Sequence, residues 1–194
     1  MNVNPKYFLY ENNYRISKNI VEAITDILGV QPIMIDSALV SAQRRKRLYW
    51  TNIPNVTQPP DKGITIKDIF IPDKTLIKTD KRILTTAVKK KNYIQYAVNE
   101  KYSNSQAFRL YYMNGKFPTI ARCRTESKGN VLLDENDLST YKIISPVEAE
   151  RCQTLPDNYT EGVAKTRRFE AIGNGWTVDV ITHILSFMEK EDEQ

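Results

Sequence analysis

Two groups of polar residues in this chain are of types that bind a ligand or nucleic acid. The first is a run of four cations at residues 44–47, between the apolar runs 32–35 and 48–53. Strands on both sides would hold the arginines rigidly, and rigidly held guanidinium groups suit a phosphate or the polar edge of a base. A run of like charge is also typical of a solvated face, so the run alone leaves both interpretations open.

The second group is a carboxylate, Glu11, which follows a short apolar run at residues 7–10. That run predicts a buried strand, and the pattern over 17–28 predicts an amphipathic helix that Ser17 can cap and Gly29 can end. A further strand follows, which predicts a βαβ unit of a parallel sheet with Glu11 at the carboxyl end of a strand, where such sheets bind ligands. Capping of the following helix is the alternative role for Glu11.

Length and composition limit the class of protein. At 194 residues the chain fits one domain, or one and a half, with a sizeable core. No apolar run approaches the roughly 20 residues of a membrane helix, and the N-terminus lacks the apolar core of a signal peptide. Two cysteines, Cys123 and Cys152, and one histidine exclude a Cys/His zinc site. We therefore expect a soluble, cytoplasmic protein with no metal and no membrane contact.

Net charge is distributed unevenly along the chain. The whole chain carries +5, whereas residues 62–128 contain 15 Lys or Arg against 5 Asp or Glu, a net +10. This basic stretch also contains the aromatic residues Tyr93, Tyr96, Tyr102, Phe108, Tyr111 and Tyr112. Cations interleaved with aromatic rings suit phosphate neutralisation and base stacking, and an ordinary basic surface with strand-forming tyrosines is the alternative.

The remaining elements are predicted more coarsely. Short apolar runs between residues 64 and 144, after a proline-rich linker, predict small strands or single turns. In the final third, Ser145 begins a helix, residues 165–171 form another, and a last helix begins near Thr177. The pattern therefore predicts an α/β part at each end of the chain with a basic, mostly β part between them.

Two segments resemble catalytic motifs of the DNA (cytosine-5)-methyltransferase family. Residues 7–13 resemble the strand with the family's Glu-Asn dipeptide, although their last residue is asparagine where valine is usual. Residues 43–47 are similar to the family's Gln-x-Arg-x-Arg segment. The resemblance implies that Glu11 shares a proton with N3 of a cytosine swung out of the duplex, that Arg47 holds the cytosine O2, and that Arg45 binds the flanking phosphate or helps to position the nucleophile's surroundings.

Two further segments resemble later motifs of the family, in the same order. Residues 148–156 resemble the Glu-x-x-Arg-x-Gln-x-x-Pro segment that supports the target-recognition region, and residues 173–176 resemble the motif that lines the S-adenosylmethionine pocket. With its tryptophan, the segment 173–176 is closer to the form of this motif in the animal de novo branch and its phage relatives than to the common Gly-Asn-Ser form. The resemblance therefore implies S-adenosylmethionine as cofactor, with Asn174 and Trp176 in contact with it.

The fold that the resemblance implies is α/β, the C-terminal half of a Rossmann-like methyltransferase sheet with a small, mostly β target-recognition domain. Residues 1–53 would belong to the catalytic sheet, 54–144 to the target-recognition module and 145–194 to a helical return to the catalytic domain. Double-stranded DNA is the expected partner, in a bacterial or phage-type DNA modification context such as restriction-modification. DNA contacts are expected from Arg44, Arg122, Arg124, Lys89, Lys90 and Lys91.

Two features of the family do not occur in the sequence. The family uses a Pro-Cys nucleophile, but both cysteines here follow an arginine. It also uses a glycine-rich cofactor loop after its first strand, but of the seven glycines only Gly173 and Gly175 lie close together, and they belong to the C-terminal motif. We therefore expect a C-terminal subunit or fragment that requires an N-terminal methyltransferase subunit with the nucleophile. An inactive DNA-binding or regulatory remnant that associates with an intact methyltransferase is the alternative. In either case an unpaired strand edge and exposed apolar faces of helices 17–28 and 177–189 should favour association.

Overall fold

The computed structural model of the protein describes residues 5–72, 76–78, 88–95, 109–120, 130–134 and 140–188. Within these residues the chain forms two β-sheets, one with three strands and one with six. The described helices are α1 (Lys18–Leu28), α2 (Ile66–Ile69), α3 (Pro146–Cys152), α4 (Lys165–Asn174) and α5 (Val178–Leu185). None of the described helices has the length and apolar character needed to cross a membrane.

The smaller sheet contains β1 (Leu9–Asn13), β2 (Ile33–Asp36) and β3 (Lys46–Thr51), in the order β1-β3-β2. Strand β3 is antiparallel to both of its neighbours, so β1 and β2 run in the same direction without being adjacent. The prediction of a parallel sheet is therefore wrong for the neighbouring strands. The reason is that β3 lies between the two strands that α1 connects.

Strand β1 begins and ends later than the sequence pattern predicts, so Glu11 lies within the strand and not after it. Side chains alternate along a strand, so Glu11 shares one face of the sheet with Tyr49, its partner on β3, and with Arg47. The opposite face carries Tyr10 and Trp50, whose ring centroids are 5.8 Å apart. The face with Glu11 and Arg47 also carries Tyr49 and Ile35, which belong to a hydrophobic core, so the ion pair lies beside that core.

Helix α1 ends as predicted at Gly29, which has a left-handed φ of 69° and donates its N–H to Thr25 O at 2.8 Å. Ser17 precedes the helix as predicted, but its side chain makes no capping hydrogen bond. No residue of α1 is fully buried, and Ile20 and Ile27 are 48% and 83% exposed. Two positions of the predicted apolar stripe are therefore open to solvent, which is typical of a surface that contacts another apolar surface.

Helix α5 packs in the core of the smaller sheet. Val180 and Ile184 are fully buried with Ile35 of β2 and Tyr49 of β3. The prediction that this helix exposes its apolar face is therefore wrong for Ile184, because the described chain itself covers it. Leu185, at the end of the helix, remains 43% exposed.

The larger sheet contains β4 (Leu76–Lys78), β5 (Val88–Lys89), β6 (Tyr93–Gln95), β7 (Arg109–Tyr112), β8 (Asn130–Leu132) and β9 (Thr140–Ile143). Their order is β4-β9-β8-β7-β6-β5. Neighbouring strands are antiparallel, except that β7 and β8 are parallel. The prediction of small strands or single turns between residues 64 and 144 is confirmed for the part that the structure describes.

Helix α3 is attached to the larger sheet through a buried ion pair. Ser145 and Glu148 form a capping box at the start of the helix, as the sequence at Ser145 predicts. The Glu148 carboxylate also accepts hydrogen bonds from Lys142 Nζ of β9, at 2.6 and 2.7 Å, and from the Ile71 N–H, at 2.9 Å. The side chains of Lys142 and Glu148 are only 1% and 3% exposed. This pair therefore holds α3 against the larger sheet.

Replacement of Glu148 by glutamine should destabilise the protein strongly. Glu148→Gln removes the charge that neutralises buried Lys142, and breaking a buried pair in this way costs about 3–5 kcal/mol in free energy of unfolding. Glu22→Gln is the matched control, because the Glu22 pair with Lys18 is largely exposed and should contribute less than about 0.5 kcal/mol. Urea denaturation followed by circular dichroism measures both, and equal losses would contradict the role given to Glu148.

Candidate nucleic-acid interface

A cleft of about 840 Å³ opens at the end of the smaller sheet where β1 and β2 end and β3 begins. It is lined by Asn13, Tyr14, Arg15, Asp36, Arg44, Arg45, Lys46, Arg47, Arg109, Pro118, Thr119 and Gly173. Six of these residues are cations, and Asp36 is the one acidic residue among them. A concave surface with this excess of positive charge attracts anions and concentrates them in the cleft.

Glu11 and Arg47 form an ion pair across β1 and β3. Arg47 Nε lies 2.9 Å from Glu11 Oε1, and the two side chains are 13% and 14% exposed. A second guanidinium nitrogen, Arg47 NH1, donates to the backbone carbonyl of Lys46 at 2.9 Å. Two contacts therefore hold the Arg47 side chain in one orientation at the wall of the cleft. The structure thus brings together two of the residues that the sequence motifs identify.

Arg45 has a different environment, because its side chain points into the protein. It is 4% exposed, and its guanidinium donates to Ile120 O at 3.1 Å, Gly173 O at 3.2 Å and Gly175 O at 2.9 Å. Burial, with the nearby charge of Arg47, lowers the pKa of Arg45 to about 10. Two roles are predicted for Arg45. Its contacts with backbone carbonyls argue against the first, binding of a phosphate, and are consistent with the second, positioning of neighbouring segments.

Arg44 is exposed and lines the cleft, in contrast to Arg45. Its backbone is held on both sides, since Arg44 N–H donates to Phe117 O at 2.8 Å and Thr119 Oγ1 donates to Arg44 O at 2.8 Å. The backbone is therefore fixed while the guanidinium faces solvent. This arrangement allows the contact with an anion that the sequence predicts for Arg44.

A buried amide network fixes the segments that surround the cleft. Gln43 Nε2 donates to Gln153 Oε1 at 2.9 Å, and Ile120 N–H donates to Gln43 Oε1 at 3.1 Å. Gln153 Nε2 in turn donates to Ile172 O at 2.7 Å, and Thr177 Oγ1 donates to Gln153 Oε1 at 2.8 Å. The two glutamines of the sequence motifs thus contact each other directly, and they join four chain segments, at residues 43, 120, 153 and 172–177.

The predicted cofactor residues lie at the end of α4. This helix continues through Asn174 and does not end at residue 171 as predicted. Asn174 is exposed, and Trp176, which follows the helix, is 47% exposed. The carbonyls of Gly173 and Gly175 are the ones that Arg45 binds, so the buried arginine holds the backbone from which these two side chains project.

The other predicted DNA contacts lie away from the cleft or outside the described residues. Lys89, Lys90 and Lys91 are exposed on β5 and the turn that follows it, and they do not line the cleft. Arg122 and Arg124 lie outside the residues that the structure describes, so the prediction for them stays a prediction.

Three further cations line the cleft, and the sequence motifs indicate a role for none of them. Lys46 occupies a variable position of the Gln-x-Arg-x-Arg segment, and Arg15 and Arg109 lie outside the motifs. Arg109 lies over the Tyr93 ring, with its guanidinium carbon 4.6 Å from the ring centroid. The signal for Arg15 is its position four residues after Glu11, in the turn between a strand and a helix. No comparable signal marks Arg109, because tertiary packing alone brings it to the cleft.

The comparison with known proteins decides the family. A sequence model described as "C-5 cytosine-specific DNA methylase" matches residues 1–190. The chain belongs to this family. The family predicted from the four sequence motifs is therefore confirmed.

Curated relatives of this C-5 methylase chain include plant and bacterial proteins. The DNA (cytosine-5)-methyltransferases DRM2 of Oryza sativa subsp. japonica and of Arabidopsis thaliana are each 28% identical to it over 95% of the chain. The Type II methyltransferase M.Sau3AI of Staphylococcus aureus is 42% identical over 52 residues, which are 27% of this chain and 13% of that protein. The chain spans 31% and 30% of the two plant proteins, about a third of their length.

Solved structures confirm the predicted fold class of the C-5 methylase chain. The methyltransferase EhMeth of Entamoeba histolytica is similar with a TM-score of 0.59 and 13% identity, over 94% of this chain and 62% of that one. The Dnmt2 methyltransferase of S. pombe is similar with a TM-score of 0.58 and 15% identity, over 96% of this chain and 67% of that one. The fold is therefore the α/β, Rossmann-like methyltransferase fold.

Cys152 is excluded as a nucleophile of this C-5 methylase chain by its environment as well as by its sequence context. It is 0% exposed, and burial raises the pKa of its thiol, so the reactive thiolate is disfavoured. Cys123 lies outside the described residues. The described part of the chain thus contains no cysteine that is placed to attack a substrate.

Replacement of Arg45 by methionine should destabilise the C-5 methylase chain, whereas Arg44→Met should not. Arg45→Met removes the guanidinium donor of Ile120 O and Gly173 O, at about 1–3 kcal/mol for each buried group that stays unpaired, while Gly175 O keeps the hydrogen bond from Gln153 Nε2 at 3.3 Å. Arg44 has an exposed side chain, so its loss should change the free energy of unfolding by less than about 0.5 kcal/mol. Urea denaturation compares the two variants, and equal stability would show that Arg45 does not hold these segments.

The Cys152 thiol should be protected from alkylation in the folded methylase chain. Iodoacetamide reacts with thiolates, and both the burial and the raised pKa of Cys152 oppose this reaction. Mass spectrometry of peptides should therefore show Cys152 unmodified in the native protein and modified in urea. Rapid native alkylation would contradict the packing described for α3.

Proposed function

We propose that this chain binds double-stranded DNA, holds an extruded cytosine, and forms the C-terminal part of an enzyme that methylates cytosine at C5. The observation that carries the proposal is the Glu11–Arg47 ion pair at a cleft lined by cations. A carboxylic acid and a guanidinium side by side match the adjacent N3 and O2 of a cytosine edge. The surrounding cations match the phosphates beside an extruded base.

Glu11 and Arg47 divide the contacts with the cytosine between them. Addition of a nucleophile at C6 places negative charge on the ring, which a proton shared between Glu11 and N3 stabilises. Arg47 holds Oε1 of Glu11 through Nε and the Lys46 carbonyl through NH1. We assign Oε2 of Glu11 to N3, and NH2 of Arg47 to O2. Because both side chains are held before the base arrives, little ordering is needed on binding.

The cleft cations bind the DNA backbone in this proposal. Arg44 lies in a fixed segment with its guanidinium exposed, and Lys46 lies beside it on the cleft wall. Arg45 instead positions the segments from which these contacts arise, because its own guanidinium is bound to backbone carbonyls. Lys89, Lys90 and Lys91 provide a further basic surface on the larger sheet, which we assign to a more distant part of the duplex.

S-adenosylmethionine supplies the methyl group when bound. Asn174 and Trp176 would contact it, since both side chains are exposed at the end of α4 and an exposed indole ring can stack on an adenine. Arg45 fixes the backbone of this segment from the inside. The same arginine therefore supports the cytosine side and the cofactor side of the proposed site.

A second polypeptide segment supplies the cysteine nucleophile and the glycine-rich cofactor loop in this proposal. Both cysteines of the chain follow an arginine, and Cys152 is buried. Strand β1 is an edge of the smaller sheet, and α1 exposes Ile20 and Ile27 beside it in the chain. An N-terminal methyltransferase segment could therefore extend the sheet at β1. The similarity with M.Sau3AI supports a cytoplasmic, bacterial or phage-type modification context.

A DNA-binding or regulatory protein without catalytic activity is the second candidate. The cation-lined cleft supports it equally, because phosphate binding requires no chemistry. The Glu11–Arg47 pair favours the enzyme, since a protein that only binds the DNA backbone does not require a carboxylate there. The two candidates differ in whether the carboxylate matters for turnover.

Co-expression with an N-terminal methyltransferase segment should yield DNA methylation from S-adenosylmethionine, and Glu11→Gln should lower its rate. Glutamine keeps the shape and hydrogen bonding of Glu11 but does not supply the proton, so we expect a loss of about 10²–10⁴-fold in turnover. DNA affinity should stay within about twofold, because the phosphate contacts are unchanged. Glu22→Gln on α1 is the matched control and should leave both quantities unchanged.

The same experiment separates the two candidates. Methylation that does not respond to Glu11→Gln would contradict the role of Glu11. Inactivity with every N-terminal segment tested, together with salt-sensitive DNA binding by the chain, would favour the regulatory candidate.

A further inference from the structure

We propose that the turn after β1 is a second nucleic-acid contact, in which the Tyr14 ring stacks on a nucleobase and Arg15 binds a phosphate. Both residues line the same cleft as Arg47, and they lie three and four positions after Glu11 in the chain. The contact rests on the proposed function, since it places two groups beside the base held by Glu11. It adds a stacking group, which the Glu11–Arg47 pair does not provide.

Asn13 fixes the turn that carries these two residues. Its Oδ1 accepts the Arg15 N–H at 3.1 Å, and its backbone carbonyl accepts the Ile16 N–H at 3.3 Å. Its own N–H donates to Asn12 Oδ1 at 2.7 Å. Valine has no acceptor in its side chain, so the asparagine gives this turn a hydrogen bond that valine would not. The turn is therefore held in one shape before any ligand binds.

Tyr14 is a large aromatic residue with 46% of its surface exposed, and it lies at the wall of a cationic cleft. Lys46 Nζ lies 5.6 Å from the centroid of its ring. A ring that serves the core is buried, whereas a ring exposed among cations is typical of grooves that bind nucleic acid. Stacking needs only the flat face of a base, so Tyr14 can accept any of the four bases.

Arg15 supplies the charge next to this ring. Its side chain is exposed and faces a cleft that it shares with Arg44 and Arg109, with Asp36 as the one acidic lining residue. Like charges that line one cleft repel each other, and an anion bound in the cleft reduces the repulsion. A phosphate of the nucleotide that stacks on Tyr14 provides this anion.

The stacking contact is tested with two DNA probes and the full chain. One probe is a short duplex with a single unpaired thymine, and the other has an abasic residue at that position. Thymine replaces cytosine so that the probe lacks the base proposed for Glu11. Fluorescence anisotropy should show tighter binding of wild-type protein to the thymine probe. Tyr14→Ala should weaken that binding about fivefold to 100-fold with little change on the abasic probe, and Tyr14→Phe should behave as wild type.

The phosphate contact is tested by the salt dependence of the same binding. Arg15→Ala should reduce the slope of log K against log salt by about 1 on both probes, because one phosphate contact is lost. Lys18→Ala is the matched control, since Lys18 is a cation three positions away that pairs with Glu22 on α1 and does not line the cleft. It should leave the slope unchanged.

Two outcomes would overturn the second contact alone. In the first, Tyr14→Ala weakens binding to both probes equally, or to neither. In the second, the slope of log K against log salt is the same for Arg15→Ala as for Lys18→Ala. In both cases the proposed function would be retained if the wild-type chain binds DNA and if methylation depends on Glu11. Absence of DNA binding by the wild-type chain at low salt would overturn the second contact and the DNA-binding function together. Circular dichroism of each variant checks that the exposed substitutions leave the fold intact.

Discussion

The antiparallel pairing of β1 with β3 is the interaction on which the candidate site depends. In its register Glu11 lies opposite Tyr49 and Asn13 lies opposite Arg47, which places the carboxylate and the guanidinium on one face. A slip of one residue would move Glu11 to the face where Tyr10 and Trp50 pack. Burial of Trp50 on one face and of Tyr49 on the other therefore favours the register that forms the ion pair.

The segment that leads into β3 also determines which of two neighbouring arginines faces the cleft. Arg44 and Arg45 are adjacent and equally charged, yet Arg44 is exposed while Arg45 is 4% exposed and bound to three carbonyls. A buried guanidinium is tolerated when hydrogen bonds replace its water, and here those bonds join β3 to Ile120 and to the end of α4. The basic run thus serves two purposes, with one arginine for the cleft and one for the scaffold.

The family, the fold class and several local features can be predicted from the sequence. Gly29 ends α1 and Ser145 caps α3 because both signals depend on neighbouring residues alone. The order β1-β3-β2 was not predicted, since periodicity shows which residues form a strand and not which strands pair. Tyr14 and Arg15 were missed for a similar reason. Their turn carries no strong sequence signal, and the cleft that they line exists only after the two sheets fold.

The most direct measurement compares the affinity of the chain for two duplexes, one with an unpaired cytosine and one with an unpaired 3-deazacytosine. The second base carries C–H in place of N3, so it lacks the atom assigned to Glu11. If Glu11 binds N3, the wild-type chain should prefer cytosine by about tenfold, and Glu11→Ala should lose this preference. Equal affinity of the wild-type chain for the two duplexes would contradict the assignment of Glu11 and Arg47 to the cytosine edge.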